Sequence, residues 1–183
     1  LVKYSLIDYP PHISCVVFTA GCNFRCPYCH NPELIDPDAN AWKMRPDQFL
    51  SFLESRQKYL DGVVISGGEP TLHPDLPAFC ADIKNMGFRV KIDTNGSRPE
   101  MIEKLIIHDA ADYLAMDLKT DPVRYPDWLG AQAEPAAIQR SVRIILGSGT
   151  PHEFRTTCAK PFINEDRIRT MARDRTVDEW KLR

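Results

Sequence analysis

Short β-rich runs alternate with helical patterns along the chain, and this alternation constrains the fold more than any other feature. Runs rich in β-branched and aromatic residues predict strands at Ile13–Thr19, Val63–Ser66, Phe88–Asp93, Tyr113–Asp117, Glu153–Thr157 and Trp180–Leu182. Apolar residues at helical spacing predict helices at Asp47–Leu60, Leu76–Met86, Pro99–Ile106, Ala136–Leu146 and Glu165–Asp174. Such a chain forms a parallel sheet with helices outside it, either a barrel or an open doubly wound sheet.

Length and composition fit one ordinary globular domain. The 183 residues suffice for one sizeable core, and 43% are hydrophobic and 26% charged. A net charge of −2 gives no basic field, so we expect no nucleic-acid partner. No apolar run approaches the ~18–20 residues of a membrane span, and Leu1–Pro10 has no signal-peptide pattern, so we expect a cytoplasmic protein without a membrane partner.

The two chain ends suggest trimming. The sequence begins at Leu1 without a methionine and stops at Arg183 just after the last predicted strand begins. We therefore expect a sheet that is truncated at its last strand.

Three cysteines cluster in the spacing C-x3-C-x2-C, at Cys22, Cys26 and Cys29. Iron–sulfur clusters bind thiolates, usually four, so three local thiolates would leave one iron open for another ligand. A zinc site with His30 as the fourth ligand is the alternative, although adjacent Cys29 and His30 would strain that loop. The isolated cysteines, Cys15, Cys80 and Cys158, are expected to pack as small hydrophobic residues.

Polar and glycine-rich segments follow the predicted strands, at the sheet edge where parallel α/β folds place their working surface. Gly67 and Gly68 allow close backbone approach, and Glu69 brings an acceptor to the same strand end. Asp93-Thr94-Asn95-Gly96 ends the next strand, where a plain Asn-Gly turn is the alternative reading.

Charged residues occupy the last strands of the predicted sheet. Asp117 and Lys119 are two residues apart, so their side chains point to one face of the sheet. If that face is buried, they either pair with each other or meet a charged ligand. A surface ion pair is the alternative. The guanidinium of Arg155 is suited to bidentate binding of a carboxylate. An exterior charge on the strand is the alternative.

The cysteine motif, with the aromatic Tyr28 before its last cysteine, resembles the signature of radical S-adenosylmethionine (SAM) enzymes. The resemblance implies that the three cysteines bind three irons of a [4Fe–4S] cluster and that SAM chelates the fourth iron. It further implies that Tyr28 lies beside the adenine, and that Gly67, Gly68 and Glu69 hold the SAM amino group.

The same resemblance assigns the remaining candidate residues. Asp93, Thr94 and Asn95 would meet the ribose hydroxyls of SAM. Asp117 and Lys119, in a stretch similar to one in glycyl-radical activases, would meet SAM or the incoming substrate. In such a site the guanidinium of Arg155 is suited to hold the SAM carboxylate as a bidentate donor.

The first 34 residues narrow the resemblance to one group of activating proteins. Tyr4–Pro10, Val16–Thr19 and Gly21–Leu34 are similar to the activating proteins of anaerobic (class III) ribonucleoside-triphosphate reductase, with a departure at Pro11, where glycine is expected. This implies a single radical SAM domain over 1–183, with the fold of a partial (β/α)6 TIM-like barrel. It also implies that one electron from flavodoxin or ferredoxin cleaves SAM to a 5′-deoxyadenosyl radical, which takes a hydrogen from a glycine of the reductase.

Three alternatives stay open at this point. An activase of another glycyl-radical enzyme, such as pyruvate formate-lyase, or a radical SAM enzyme for a small molecule would share every motif above. A non-catalytic zinc or iron–sulfur module is a third reading.

Overall fold

A seven-stranded sheet forms the centre of the computed structural model, which describes residues 1–38, 44–121, 124–130, 133–173 and 180–182. In chain order the strands are β1 (Val2–Ser5), β2 (Ser14–Thr19), β3 (Gly62–Gly67), β4 (Arg89–Thr94), β5 (Tyr113–Asp117), β6 (His152–Thr156) and β7 (Trp180–Leu182). Their order in the sheet is the order of the chain; β1 is antiparallel to β2, and each later neighbouring pair is parallel. This is the arrangement expected of a partial (β/α)6 barrel.

The helices are α1 (Pro46–Glu54), α2 (Leu76–Asn85), α3 (Pro99–Ile107), α4 (Tyr125–Leu129), α5 (Pro135–Gly147) and α6 (Glu165–Arg173). Each of α1 to α5 has a proline at its first or second position, where the missing N–H removes no intrahelical bond. Within the described part of the chain, no helix is long and apolar enough to cross a membrane.

The two faces of the sheet have different chemistry because side chains alternate along each strand. Val90 and Ile92 of β4 are fully buried in the main core, together with apolar residues of the helices. Between them, Lys91 belongs to the opposite face, as does Asp93 two residues later, and the Lys91 side chain is only 2% exposed. The inner face of the partial barrel therefore carries buried charge.

All six predicted strands are observed within one residue of their predicted bounds. The predicted helix Asp47–Leu60 is wrong at its end, because α1 stops at Glu54. The Ser55 hydroxyl bonds to the Phe52 carbonyl at 2.7 Å, and turns then carry the chain to the buried Leu60. The end of the predicted helix Glu165–Asp174 falls on Asp174, which lies outside the described residues.

Two elements were not expected from the sequence. Strand β1 is four residues at the edge of the sheet, and α4 is five residues long. Elements this short carry too little periodicity to be recognised without their neighbours.

Candidate active site

The carboxyl ends of β3, β4 and β5 and the loop after β2 surround a cavity of about 100 Å³. Every predicted site residue except Tyr28 and Arg155 lines this cavity. The lining residues are Cys22, Phe24, Cys26, Cys29, Ser66, Gly67, Gly68, Glu69, Asp93, Thr94, Asn95, Asp117 and Lys119. They converge because neighbouring parallel strands end at the same edge of a sheet.

Backbone hydrogen bonds anchor the cysteine loop at its first cysteine and at the residue before it. Gly21 N donates to Leu34 O at 2.8 Å, and Cys22 N donates to Ile35 O at 3.1 Å. Phe24 is 1% exposed and meets the ring of Tyr125 edge-on, with 6.1 Å between centroids. An apolar residue between the cysteines thus pins the loop to the core while the thiols line the cavity.

Burial controls the state of the cavity thiols. It raises the pKa of Cys22 and raises that of Cys26 to about 11, and the positive charge of Lys119 opposes both increases. A metal must therefore displace protons from these thiols in order to bind. Within the described ranges, no three His, Cys, Asp or Glu side chains form a ready set of ligands for a single metal ion.

The isolated cysteines differ from one another. Cys15 and Cys80 are fully buried, as expected, and burial raises the pKa of each to about 12. The expectation is wrong for Cys158, which is exposed because the chain leaves the sheet just after β6.

The two glycines after β3 allow its end to contact the cysteine loop. Gly67 has a φ of +119°, and a Cβ on Gly68 would lie 2.1 Å from Gly21 O. Glu69 N donates to that same Gly21 oxygen at 2.8 Å. Backbone packs directly on backbone at this point, so a side chain on Gly68 would push the two segments apart.

Glu69 joins this segment to the tip of β4. Its side chain is buried, and it accepts hydrogen bonds from Thr71 N (3.1 Å), from Thr94 Oγ1 (2.7 Å) and from Asn95 N (2.6 Å), as well as from the Thr71 hydroxyl. Burial raises the pKa of Glu69, and these donors oppose that increase. Both carboxylate oxygens are therefore engaged in positioning Thr94 and Asn95.

The tip of β4 is both a turn and part of the cavity wall. Gly96 has a φ of +76°, and its N–H donates to Thr94 Oγ1 at 3.1 Å. Ser97 N donates to Asn95 Oδ1 at 2.9 Å. The turn reading and the cavity reading of Asp93-Thr94-Asn95-Gly96 are thus compatible.

A row of alternating charges lies on the inner face, and three of its four members line the cavity. Lys119 Nζ lies 2.9 Å from Asp117 Oδ2, and Arg155 Nε lies 2.8 Å from Asp117 Oδ1. Arg155 Nη1 also lies 3.3 Å from Asp93 Oδ2. Asp93 and Arg155 reach each other past Ala115, whose small side chain is the β5 partner of Asp93 in the sheet register.

These contacts set the ionisation of the two aspartates. Burial raises the pKa of Asp93, against the opposing charges of Arg155 and Lys91. Burial would also raise the pKa of Asp117, but Lys119 and Arg155 outweigh it and lower that pKa to about 2. Asp117 therefore stays ionised at neutral pH, as a half-buried charge with two cationic partners.

Two predicted residues lie beside the cavity rather than on its wall. Arg155 is engaged by its carboxylate partners, and their charges raise its pKa despite burial. Tyr28 donates its hydroxyl to Lys119 O at 2.9 Å, and its ring lies 5.6 Å from that of Phe162. Burial raises the pKa of Tyr28 to about 12, so the hydroxyl remains a donor.

Sequence reasoning missed four residues that shape the site. Phe24 and Ser66 line the cavity, and Asn23 bonds to the tip of β4. The Tyr125 hydroxyl accepts from Lys119 N at 2.9 Å. The position of Asn23 inside the cysteine motif was an available signal, whereas Tyr125 depends on α4, which the sequence did not predict.

Known proteins are similar to this chain in sequence. The sequence model of the Radical SAM superfamily matches residues 16–174. A Methanocaldococcus jannaschii protein named as a glycyl-radical enzyme activating enzyme is 35% identical over 187 residues, covering all of this chain and 75% of the relative. The pyruvate formate-lyase-activating enzyme of Clostridium pasteurianum is 35% identical over 117 residues, covering 60% of this chain and 47% of that enzyme.

Solved structures match the fold at lower sequence identity. Native anSMEcpe with bound AdoMet has a TM-score of 0.70 at 13% identity, covering 92% of this chain and 50% of that one. Streptococcus suis SuiB bound to S-adenosylmethionine has a TM-score of 0.67 at 15% identity, covering 92% of this chain and 40% of that one. This chain thus spans half or less of these proteins.

The family match covers most of the chain, and the cysteine motif and the cavity fall within it. The cofactors of the family, a [4Fe–4S] cluster and SAM, agree with three thiols on the wall of a polar cavity. The chain therefore belongs to the radical SAM superfamily.

Proposed function

We propose that this chain is the radical SAM domain of a glycyl-radical activating enzyme, with its [4Fe–4S] cluster on Cys22, Cys26 and Cys29. One observation carries the proposal: a single cavity joins these three thiols to the polar ends of β3, β4 and β5. When bound, the cluster and SAM supply the one-electron cleavage of a carbon–sulfur bond and a group able to abstract hydrogen. Family members share this chemistry, and the family match over 16–174 supports one domain spanning 1–183.

The residues of the chain bind and orient. The backbone at Gly67 and Gly68 comes close enough to the cysteine loop to meet the amino group of SAM, and the tip of β4 offers hydroxyl and amide groups to the ribose. Lys119 is the cation on the cavity wall and is the better placed group for the SAM carboxylate. Arg155 then acts indirectly, because it holds Asp93 and Asp117 in place.

The target we propose is the glycine of an anaerobic ribonucleoside-triphosphate reductase. The similarity of Tyr4–Pro10 and Gly21–Leu34 to its activating proteins supports this choice. Activation of a pyruvate formate-lyase is the second candidate, because an enzyme of that name is 35% identical over 117 residues. In either case flavodoxin or ferredoxin would supply the electron, in the reducing cytoplasm that free thiols require.

Reductive cleavage of SAM is the first test. The chain is reconstituted with iron and sulfide without oxygen, and 5′-deoxyadenosine is measured with and without dithionite. We expect product only with reductant, none from Cys26→Ala, and undiminished product from Cys158→Ala, whose thiol is exposed and outside the cavity. No product from a chain with a full cluster would contradict the radical chemistry, and zinc at one per chain without sulfide would support the zinc alternative.

The target is tested separately by electron paramagnetic resonance (EPR). Each candidate partner is mixed with reconstituted chain, SAM and reductant, and the glycyl-radical signal is counted per partner chain. A signal on the ribonucleotide reductase alone supports the proposed target. A signal only on pyruvate formate-lyase would contradict the proposed target and support the second candidate. Product that depends on an added small molecule and on no protein would contradict both.

A further inference from the structure

The side chain of Asn23 connects the cysteine loop to the tip of β4. Asn23 directly follows the first cysteine of the motif, and its Oδ1 accepts from Asn95 Nδ2 at 3.1 Å across 72 residues of sequence. Its Nδ2 donates to Ser97 Oγ at 2.9 Å, and Ser97 Oγ in turn lies 3.3 Å from Asn23 Oδ1. Both the oxygen and the nitrogen of the Asn23 amide therefore bond to residues at the tip of β4.

The network continues to the segment after β3. Asn95 N donates to Glu69 Oε2 at 2.6 Å, and Glu69 N donates to Gly21 O at 2.8 Å. The path thus starts at Gly21, passes through Glu69 and Asn95, and returns at Asn23. This closed path connects all three segments that line the cavity on this side, and Cys22 lies between its two ends.

The chemistry of the contacts requires an amide of this length. Aspartate at position 23 would keep the acceptor for Asn95 but lose the donor to Ser97. Alanine would lose both and leave Nδ2 of the buried Asn95 without its partner. The other backbone hydrogen bonds from the loop go to Leu34 O, Ile35 O and Leu129 O. None of them reaches the tip of β4, so they do not replace this contact.

We propose that Asn23 is a positioning residue that sets the cysteine loop, and with it the cluster, against the part of β4 that faces SAM. This inference rests on the proposed function. Catalysis that depends on the distance between two bound groups is sensitive to small displacements, and a shift of about 1 Å costs about a hundredfold in rate. Asn23 is not among the residues that line the cavity, so its effect must pass through the loop.

The test uses the reconstituted full chain with Asn23→Ala, Asn23→Asp and Ser97→Ala. We expect wild-type iron and sulfide content in Asn23→Ala, because all three thiols remain. Adding SAM should change the EPR spectrum of its reduced cluster much less than in the wild type. We expect kcat for 5′-deoxyadenosine to fall about tenfold to a hundredfold and KM to change less than about threefold. Asn23→Asp should recover part of the spectral response, since it keeps the acceptor.

A thermodynamic cycle checks the contact without turnover. Asn23→Ala and Ser97→Ala are combined, and unfolding midpoints of the singles and the double are compared; the effects should be non-additive, because they remove one interaction. Asn85→Ala, an exposed asparagine at the end of α2, is the matched control and should leave every readout unchanged.

The outcomes separate this inference from the proposed function. A wild-type spectral response and kcat in Asn23→Ala would overturn the inference, and so would loss of the cluster, which indicates a folding role instead. If the wild-type chain binds cluster and SAM without cleaving SAM, the proposed function fails while the spectral comparison still decides the role of Asn23. A wild-type chain that binds no cluster would overturn both.

Discussion

Arg155 Nε lies 2.8 Å from Oδ1 of Asp117, its partner in the parallel register of β5 and β6. The same guanidinium reaches Asp93 with Nη1 at 3.3 Å. One side chain therefore compensates two carboxylates that the fold places on the inner face of the barrel. The cavity wall depends on this arrangement, because both aspartates belong to it.

Removing the guanidinium is expected to destabilise the fold. Arg155→Met leaves Asp117 and Asp93 with less compensation, and breaking a buried pair in this way costs about 3–5 kcal/mol. Arg155→Lys should cost less, although an ammonium cannot bond to both carboxylates as a planar fork does. Urea unfolding at neutral pH measures the change in free energy.

Arg140→Met is the control for that measurement. Arg140 pairs with Glu100 on the surface, with 46% of its side chain exposed, and should cost less than about 1 kcal/mol. Equal losses of unfolding free energy in Arg155→Met and Arg140→Met would show that the buried ion pairs of Arg155 contribute no more than a surface ion pair.

Asp117 should stabilise the fold in a pH-dependent way. Its pKa is lowered to about 2 in the folded chain, against about 3.9 for an unperturbed aspartate. Its contribution is therefore fully present above the unperturbed value and is lost as the pH falls through the folded value. The difference in unfolding free energy between wild type and Asp117→Asn should be largest above about pH 5 and shrink toward about pH 2.

Urea midpoints across this pH range measure that difference. Asp82→Asn, at an exposed position on α2, is the matched control and should change the unfolding free energy little at neutral pH. A difference for Asp117→Asn that stays constant from neutral to acid pH would contradict the lowered pKa.

Glu69→Gln should destabilise the chain although it keeps the size of the side chain. The two glutamate oxygens accept from two fixed backbone donors, Thr71 N and Asn95 N. In either orientation, the new amide nitrogen would face one of these N–H groups. An unsatisfied buried donor costs about 1–3 kcal/mol.

Thermal and urea unfolding of Glu69→Gln check this expectation, with SAM affinity as a second readout, since Asn95 and Thr94 lose their anchor. Glu54→Gln, exposed at the end of α1, serves as the control. Wild-type stability in Glu69→Gln would mean that the hydrogen bonds to Thr71 and Asn95 are dispensable.

Gly68→Ala should disturb the cysteine loop. Its Cβ would lie 2.1 Å from Gly21 O, a backbone atom that cannot move without shifting Cys22. We expect less iron bound per chain after reconstitution, measured by metal analysis, and lower stability. At Gly147 a Cβ would meet nothing within 4 Å, so Gly147→Ala in α5 should gain up to about 1 kcal/mol. Full iron content in Gly68→Ala would show that the loop adapts.

Much of the fold could be predicted because its signals are local. Periodicity located β2 to β7 within one residue, since a strand between apolar and turn residues is a short-range pattern. The end of α1 could not be predicted, because Leu60 continues the helical spacing but reaches the core from a turn. Strand β1 forms only because β2 is available as a partner.

The features of the site likewise divide into those that local sequence predicts and those that depend on tertiary contacts. The sequence by itself determined most of the residues that gather at the cavity, because they either follow predicted strands or belong to the motif of Cys22, Cys26 and Cys29. Only the tertiary structure decided which polar groups pair: Glu69 bonds to the tip of β4, and Arg155 pairs with Asp117 and does not line the cavity. These pairings depend on strand register and on loop packing between residues far apart in the chain. A buried charged group is costly without a partner, so it pairs with a group that lies close to it in space.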